Sequence, residues 1–245
     1  VAANGLAHTV RQQLGIGRIL PLGGPADGAW ITERAARAAL LRAPGTPPGV
    51  RLDALRLSLA TPGEAPAPTV PAPPSALPPG RLRITADLAA PPGRPLPALA
   101  AHVRTALLAA AEDGLGLRVS AVDLRIGELL DAPAEGGPGD GDRTAGRAAA
   151  PAATAPATAE PGDAATDPAD LVARVLAVPG VARLAPALAG RSRPVARTGD
   201  HVLVQLATAA GHRPVDVARA VRRAVTGPPP APQSAAVLVT AVADG

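Results

Sequence analysis

"VPGVARL" at 178–184 and "PPGVRLDALRL" at 47–57 share a Pro-Gly-Val step, and each step follows an Ala-rich stretch with helical spacing of its apolar residues. Proline disfavours helical backbone in the residue before it, and glycine enters the left-handed region without a steric penalty. Each step, Pro48-Gly49-Val50 and Pro179-Gly180-Val181, therefore ends a helix and turns the chain toward a strand. Reading outward from both steps, the order helix, Pro-Gly-Val, strand, strand, helix, strand occurs twice.

In the first copy Thr32 caps a helix reaching about Ala43, and a strand follows in "RLDALRLSLA". "RLRITADLAA" then alternates, with Leu82, Ile84, Ala86 and Leu88 on one face, as a strand with one buried side requires. A helix from about Pro97 to Glu112 carries Leu99, Val103, Ala106, Leu107 and Ala110 as a stripe. "LRVSAVDLRIG" closes the copy, and its apolar phase shifts between Val119 and Val122, which predicts a bulge. In the second copy Asp167 caps a helix that turns Leu171, Val172, Val175 and Leu176 inward. A weak strand near Ala182, the strand "HVLVQLAT", the helix "PVDVARAVRRAVT" and the strand "AAVLVTAVA" complete it.

A short strand at 29–31 makes the first copy βαββαβ, the split pattern in which helices cover one face of an antiparallel sheet. The second reads αββαβ, so its sheet is either smaller or borrows an edge. The expected fold is α+β: two small split βαβ-like units, over 29–130 and 168–245, preceded by a short helix of Leu6, Val10 and Leu14 and a Gly-rich segment within 1–28. Residues 131–167 contain no Leu, Ile or Val and carry seven acidic residues against two arginines, the composition of a disordered linker. Residues 61–80 hold eight prolines in twenty, which predicts a long inserted loop without regular structure that samples polyproline II.

The 245 residues are 47% apolar yet lack Phe, Tyr, Met and Cys, and Trp30 is the only aromatic side chain. The core must come from Leu, Val and Ala, which predicts modest stability for each small unit. The isoelectric point near 11.2 reflects arginine's high pKa acting on a net charge of only +4, so it is a poor argument for nucleic acid. A lone tryptophan also makes binding by base stacking weak. The lack of cysteine removes disulfides, thiolate metal sites and thiol nucleophiles. Without a basic and apolar leader or 18 consecutive apolar residues, a cytoplasmic, soluble protein is expected.

No motif announces chemistry. "GIGRILPLGG" has glycines but no Gly-Lys-Ser/Thr and no clear strand before it, and is read as a mobile or tightly turned loop. His8, His102, His201 and His212 show no metal-ligand spacing, and no serine sits in a nucleophile elbow. No catalytic, cofactor or metal residue and no small-molecule substrate are therefore assigned. The charged feature that stands out is Arg219, Arg222 and Arg223 on one side of the last helix, beside His212 and Arg213. A solvated helix face is the preferred reading; the alternative is a surface for anionic lipid, the acidic linker or nucleic acid.

The residues "WITERAARAAL", "PPGV" and "VPGV", the Val- and Ala-rich helices and the closing strands "VDLRIGEL" and "VLVTAVAD" resemble the alkaline-shock family of cell-envelope stress response proteins. The chain as a whole also resembles a group of actinobacterial proteins, some labelled after a nucleopolyhedrovirus protein. The alkaline-shock resemblance implies a non-enzymatic protein that associates with itself or with related family members. It further implies a place at the inner face of the membrane, held by a small membrane-anchor protein, and a role in envelope homeostasis. The expected partner is therefore another copy or a sister chain. Unpaired sheet edges offer the physical route to it.

Overall fold

The computed structural model describes residues 17–42, 45–130, 167–187 and 193–243. The expected N-terminal helix and the linker, apart from Asp167, lie outside the described residues. The elements are β1 (Ile19–Pro21), β2 (Ala29–Thr32), α1 (Glu33–Leu41), β3 (Arg51–Leu59), β4 (Leu82–Ala90), α2 (Leu96–Ala109) continued by a π turn (Ala110–Leu115), and β5 (Val119–Leu129). After the linker come α3 (Pro168–Leu176), β6 (Val181–Leu184), β7 (Val195–Thr198), β8 (His201–Thr208), α4 (Pro214–Val225) and β9 (Ser234–Val242).

The class is α+β with two βαβ-like units, and the repeat is visible in strand pairing. In the first unit β3 runs antiparallel to β4 and β4 parallel to β5. In the second, β6 and β7 lie end to end along one edge of β8, antiparallel to it, and β8 runs parallel to β9. β4–α2–β5 and β8–α4–β9 are thus equivalent crossovers between adjacent strands, so the sheets are mixed rather than wholly antiparallel and neither crossover is split by an intervening strand. The predicted bulge is present: pairing slips by one residue between Leu82–Val119 and Arg83–Ala121. Both Pro-Gly-Val steps are the same turn. Val50 donates to the Pro47 carbonyl at 3.3 Å and Val181 to the Val178 carbonyl at 3.2 Å, with Gly49 and Gly180 at φ +79° and +88°, as the third position of a type II turn demands.

The strand expected to open the first unit runs in the other sheet. β2 pairs parallel with β9, Ala29 beside Val237 and Ile31 beside Val239, and β1 pairs antiparallel with β2. The physical reason is burial. Ala29 and Ile31 are apolar on one face and Trp30 on the other, so β2 needs a sheet covered on both sides. β9 is such a neighbour, being buried from Ala235 to Val239. The β3–β4–β5 sheet instead turns Arg83, Thr85 and Asp123 outward on its second face. The second unit borrows its edge from the first.

One apolar cluster joins the units, with Leu57, Ile84 and Val103 of the first packed in the same core as Val204, Val221 and Val237 of the second. A smaller cluster of Ile19, Trp30, Val70, Ala236 and Leu238 fills the opposite face of the larger sheet. What covers it is the proline-rich stretch 61–80, expected to lack structure and found folded down as a strap. Leu77 donates to the Ile19 carbonyl at 2.9 Å, Trp30 Nε1 donates to the Leu77 carbonyl at 3.3 Å, and Thr69 holds the Pro25 carbonyl. Prolines reduce the entropy lost on ordering, and the indole supplies the buried area that the strap's own small residues lack.

Two further expectations change. Leu176, read as inward, is 49% exposed, because α3 buries only the i, i+4 pair Leu171 and Val175. The second sheet's outer edge is broken where the chain leaves at Ala185 and returns at Pro194. Gln205 holds both ends: its backbone pairs with Ala185 N and Pro194 O, while its amide accepts from Ala187 N at 2.8 Å and donates to Arg193 O.

Candidate functional site

The three arginines of α4 have separate fates. Arg219 meets Asp27 in a two-pronged pair, Nε to Oδ1 at 2.9 Å and Nη2 to Oδ2 at 3.0 Å, and reaches Asp216 at 3.0 Å with Nη1. The Arg219 guanidinium and the Gly24 amide together hold the Asp27 carboxyl below its ordinary value against the cost of burial, and Asp27 raises Arg219 in return. Arg222 donates to the Ala235 and Ala26 carbonyls at 2.8 and 2.7 Å, and burial lowers its pKa. Arg223 alone is exposed. Two of the three are thus engaged in tying α4 to the β1–β2 turn, and the one signal of this use legible in the sequence is Asp27, which follows two glycines and accepts the Gly24 amide at 2.6 Å.

The turn residues lie where the repeat requires them. A Cβ on Gly180 would stand 2.7 Å from Val217 Cγ2 and 2.8 Å from His212, so this turn is pressed onto the first turn of α4, while one on Gly49 would meet only Pro91 at 3.5 Å. Gly23 and Gly28, in the glycine-rich segment, take φ +82° and +54°, and the segment is tightly turned around Asp27 and Arg222. His201 hydrogen-bonds Ser234 at 2.8 Å, and burial together with Arg222 lowers its pKa. His102 and His212 are exposed on separate elements, His8 lies outside the described residues, and no group of three metal-ligating side chains occurs among the described residues. A cleft of about 560 Å³ at the carboxyl ends of β8 and β9, between the π turn and the loop before α4, has mostly alanines and glycines for walls, with Asp113, His212 and Arg213 at its rim.

The sheet edges differ more sharply. An unpaired edge presents a row of amides and carbonyls to any strand that fits it. β1 is covered by the strap through Ala76 and Leu77. β3 is stoppered by side chains: Glu33 Oε1 accepts the Leu57 amide at 3.3 Å and Arg18 Nη1 donates to the Leu57 carbonyl at 3.3 Å. β6 and β7 are four residues each and separated by the break at 185–194. β5 is eleven residues long and ends its sheet with no strand beyond it among the described residues.

The register tells which β5 groups face outward. Leu82 donates to the Arg118 carbonyl and Leu130 donates to the Ala90 carbonyl, so even-numbered β4 residues turn their backbone toward β5. In the parallel ladder between the two bulges, Ile84, Ala86 and Leu88 then bond to residues 121, 123, 125 and 127, leaving Val122, Leu124 and Ile126 with amide and carbonyl directed away. Of these outward groups only the Val122 carbonyl has a partner among the described residues, Arg104 Nε at 3.0 Å. The side chains of the same residues lie on the core face and emerge progressively, Val122 5% exposed and Ile126 39%, and beyond the second bulge Leu129 is 62% exposed. Sequence reading found β5 and its bulge but not its place at an edge, which depends on β2 having joined the other sheet.

Searches against protein-family models, curated proteins and solved structures find no match to the chain. No helix among the described residues is long and apolar enough to cross a membrane.

Proposed function

We propose that this chain is a non-enzymatic scaffold protein that associates with copies of itself through an open sheet edge. The observation that supports this reading is the contrast among edges: three are covered, capped or broken, while the longest keeps the outward groups of Leu124 and Ile126 without partners among the described residues, beyond the Val122 carbonyl held by Arg104, and is bordered by uncovered Ile126 and Leu129. Natural sheets blunt their edges unless the edge is used. The resemblance to alkaline-shock proteins supports the further reading that the assembly works on the cytoplasmic side of the envelope, with a small membrane protein as its anchor. Light scattering coupled to size-exclusion chromatography tests the self-association: assembly that grows with concentration in the micromolar range is expected. A strict monomer throughout that range overturns it.

A further inference from the structure

We infer that two copies join through an antiparallel β5–β5 pair whose two-fold axis passes beside Leu124, merging the two three-stranded sheets into one of six. This deepens the self-association proposed above and rests on it. Leu124 has both backbone groups directed outward, so in this register its amide and carbonyl bond to the carbonyl and amide of Leu124 in the second copy. Val122 of each copy then faces Ile126 of the other, so the best covered of the apolar row meets the one left 39% exposed.

Charge selects this register. On the opposite face the sequence Asp123-Leu124-Arg125 is its own antiparallel complement: with Leu124 on the axis, Asp123 of each copy lies directly across from Arg125 of the other. Both residues are exposed. Asp123 holds Arg83 at 2.8 Å through Oδ2 alone, and Arg125 has no hydrogen bond or ion pair among the described residues. A two-fold interface uses the same patch twice, so Arg125 and the half-used Asp123 carboxylate of each copy account for two cross-strand pairs. Shifting the axis by one residue would keep outward groups opposite outward groups but set Arg125 against Arg125, or Asp123 against Asp123, on the axis itself.

The test uses the full chain with Asp123→Arg, Arg125→Asp and an equimolar mixture of the two. In the proposed register the first variant sets arginine against arginine and the second aspartate against aspartate, and each should dimerise about tenfold more weakly than the unmodified chain. Mixed, they restore both opposite-charge pairs, so a heterodimer near the original affinity is expected by analytical ultracentrifugation and native mass spectrometry. An unmodified chain that dimerises while the mixture is no tighter than either variant overturns this interface and leaves self-association standing. An unmodified chain that stays monomeric overturns both. Cysteine supplies a second readout that does not depend on charge. In a chain with none of its own, Leu124→Cys should give a disulfide-linked dimer on mild oxidation, because paired Cα atoms about 5.5 Å apart suit a disulfide. Ser120→Cys, about 27 Å from its counterpart in this register, should not. Equal crosslinking by both overturns the register.

Discussion

The Glu33 carboxylate, at the first position of α1, accepts the amide of Leu57 in β3 at 3.3 Å while its other oxygen accepts the Arg18 amide at 3.2 Å. One side chain thus closes a sheet edge in the first unit and holds the segment leading into β1, which belongs to the second unit's sheet. Glu33 is only 5% exposed, and a carboxylate so placed is tolerable because backbone donors and the positive end of a helix surround it. On β5 no carboxylate takes an outward amide, and the Val122 carbonyl held by Arg104 is the one capped group between the bulges among the described residues; that asymmetry between the two edges of one small sheet is the basis of the proposed assembly.

Replacing Glu33 by alanine leaves the buried Leu57 amide without an acceptor. A loss of about 1–3 kcal/mol is expected in urea unfolding. The freed β3 edge should also raise light scattering at high protein concentration, whereas Glu33→Gln, which keeps an acceptor oxygen, should lose less on both measures.

Asp27 links the β1–β2 turn to α4 through Arg219. Its folded pKa is depressed below the ordinary 3.8, so its contribution is fully present above that value and is lost as pH falls through the folded pKa. Asp27→Asn should therefore cost about 1 kcal/mol near neutral pH, a modest figure because the pair is partly exposed. The difference between variant and parent should shrink as pH falls below 3.8. Chemical denaturation at a series of pH values measures both.

Trp30 is 1% exposed beneath the proline-rich strap and is the only tryptophan, so its emission reports whether the strap is docked. Val70→Ser, which removes one of the strap's buried contacts, should shift the emission to the red without unfolding the protein. Trp30→Ala should cost about 3–5 kcal/mol and make 61–80 a site of rapid proteolysis.

The two Pro-Gly-Val turns should respond unequally to the same change. Both glycines have positive φ, which costs an alanine about 1–2 kcal/mol. Gly180→Ala adds a collision with Val217 and His212, whereas Gly49→Ala has room. Thermal denaturation should therefore show the larger drop for Gly180→Ala, and equal drops would mean that the second turn does not press on α4.

Local patterns were sufficient for most elements. Alternation in "RLRITADLAA", the Thr32 and Asp167 caps and the paired turns each depend on neighbours a few residues away, and such interactions are legible in a sequence. A second echo lies before the crossover helices: Gly93-Arg94-Pro95 before α2 and Gly211-His212-Arg213-Pro214 before α4, whose glycines take φ +77° and +74°. It marks the same entry into both crossover helices.

The amino-acid order alone determined that this protein repeats a helix-turn-strand-strand-helix-strand unit, because periodicity, capping and turn chemistry act over short stretches. Only the tertiary structure decided that β2 serves the second unit's sheet, that the proline-rich strap lies on Trp30, that Arg219 and Arg222 are tied to the β1–β2 turn, and that β5 ends its sheet at an edge. Each of those outcomes is a competition for burial or for a hydrogen-bonding partner between groups far apart in the chain, and the winner depends on which surfaces the rest of the fold has already covered.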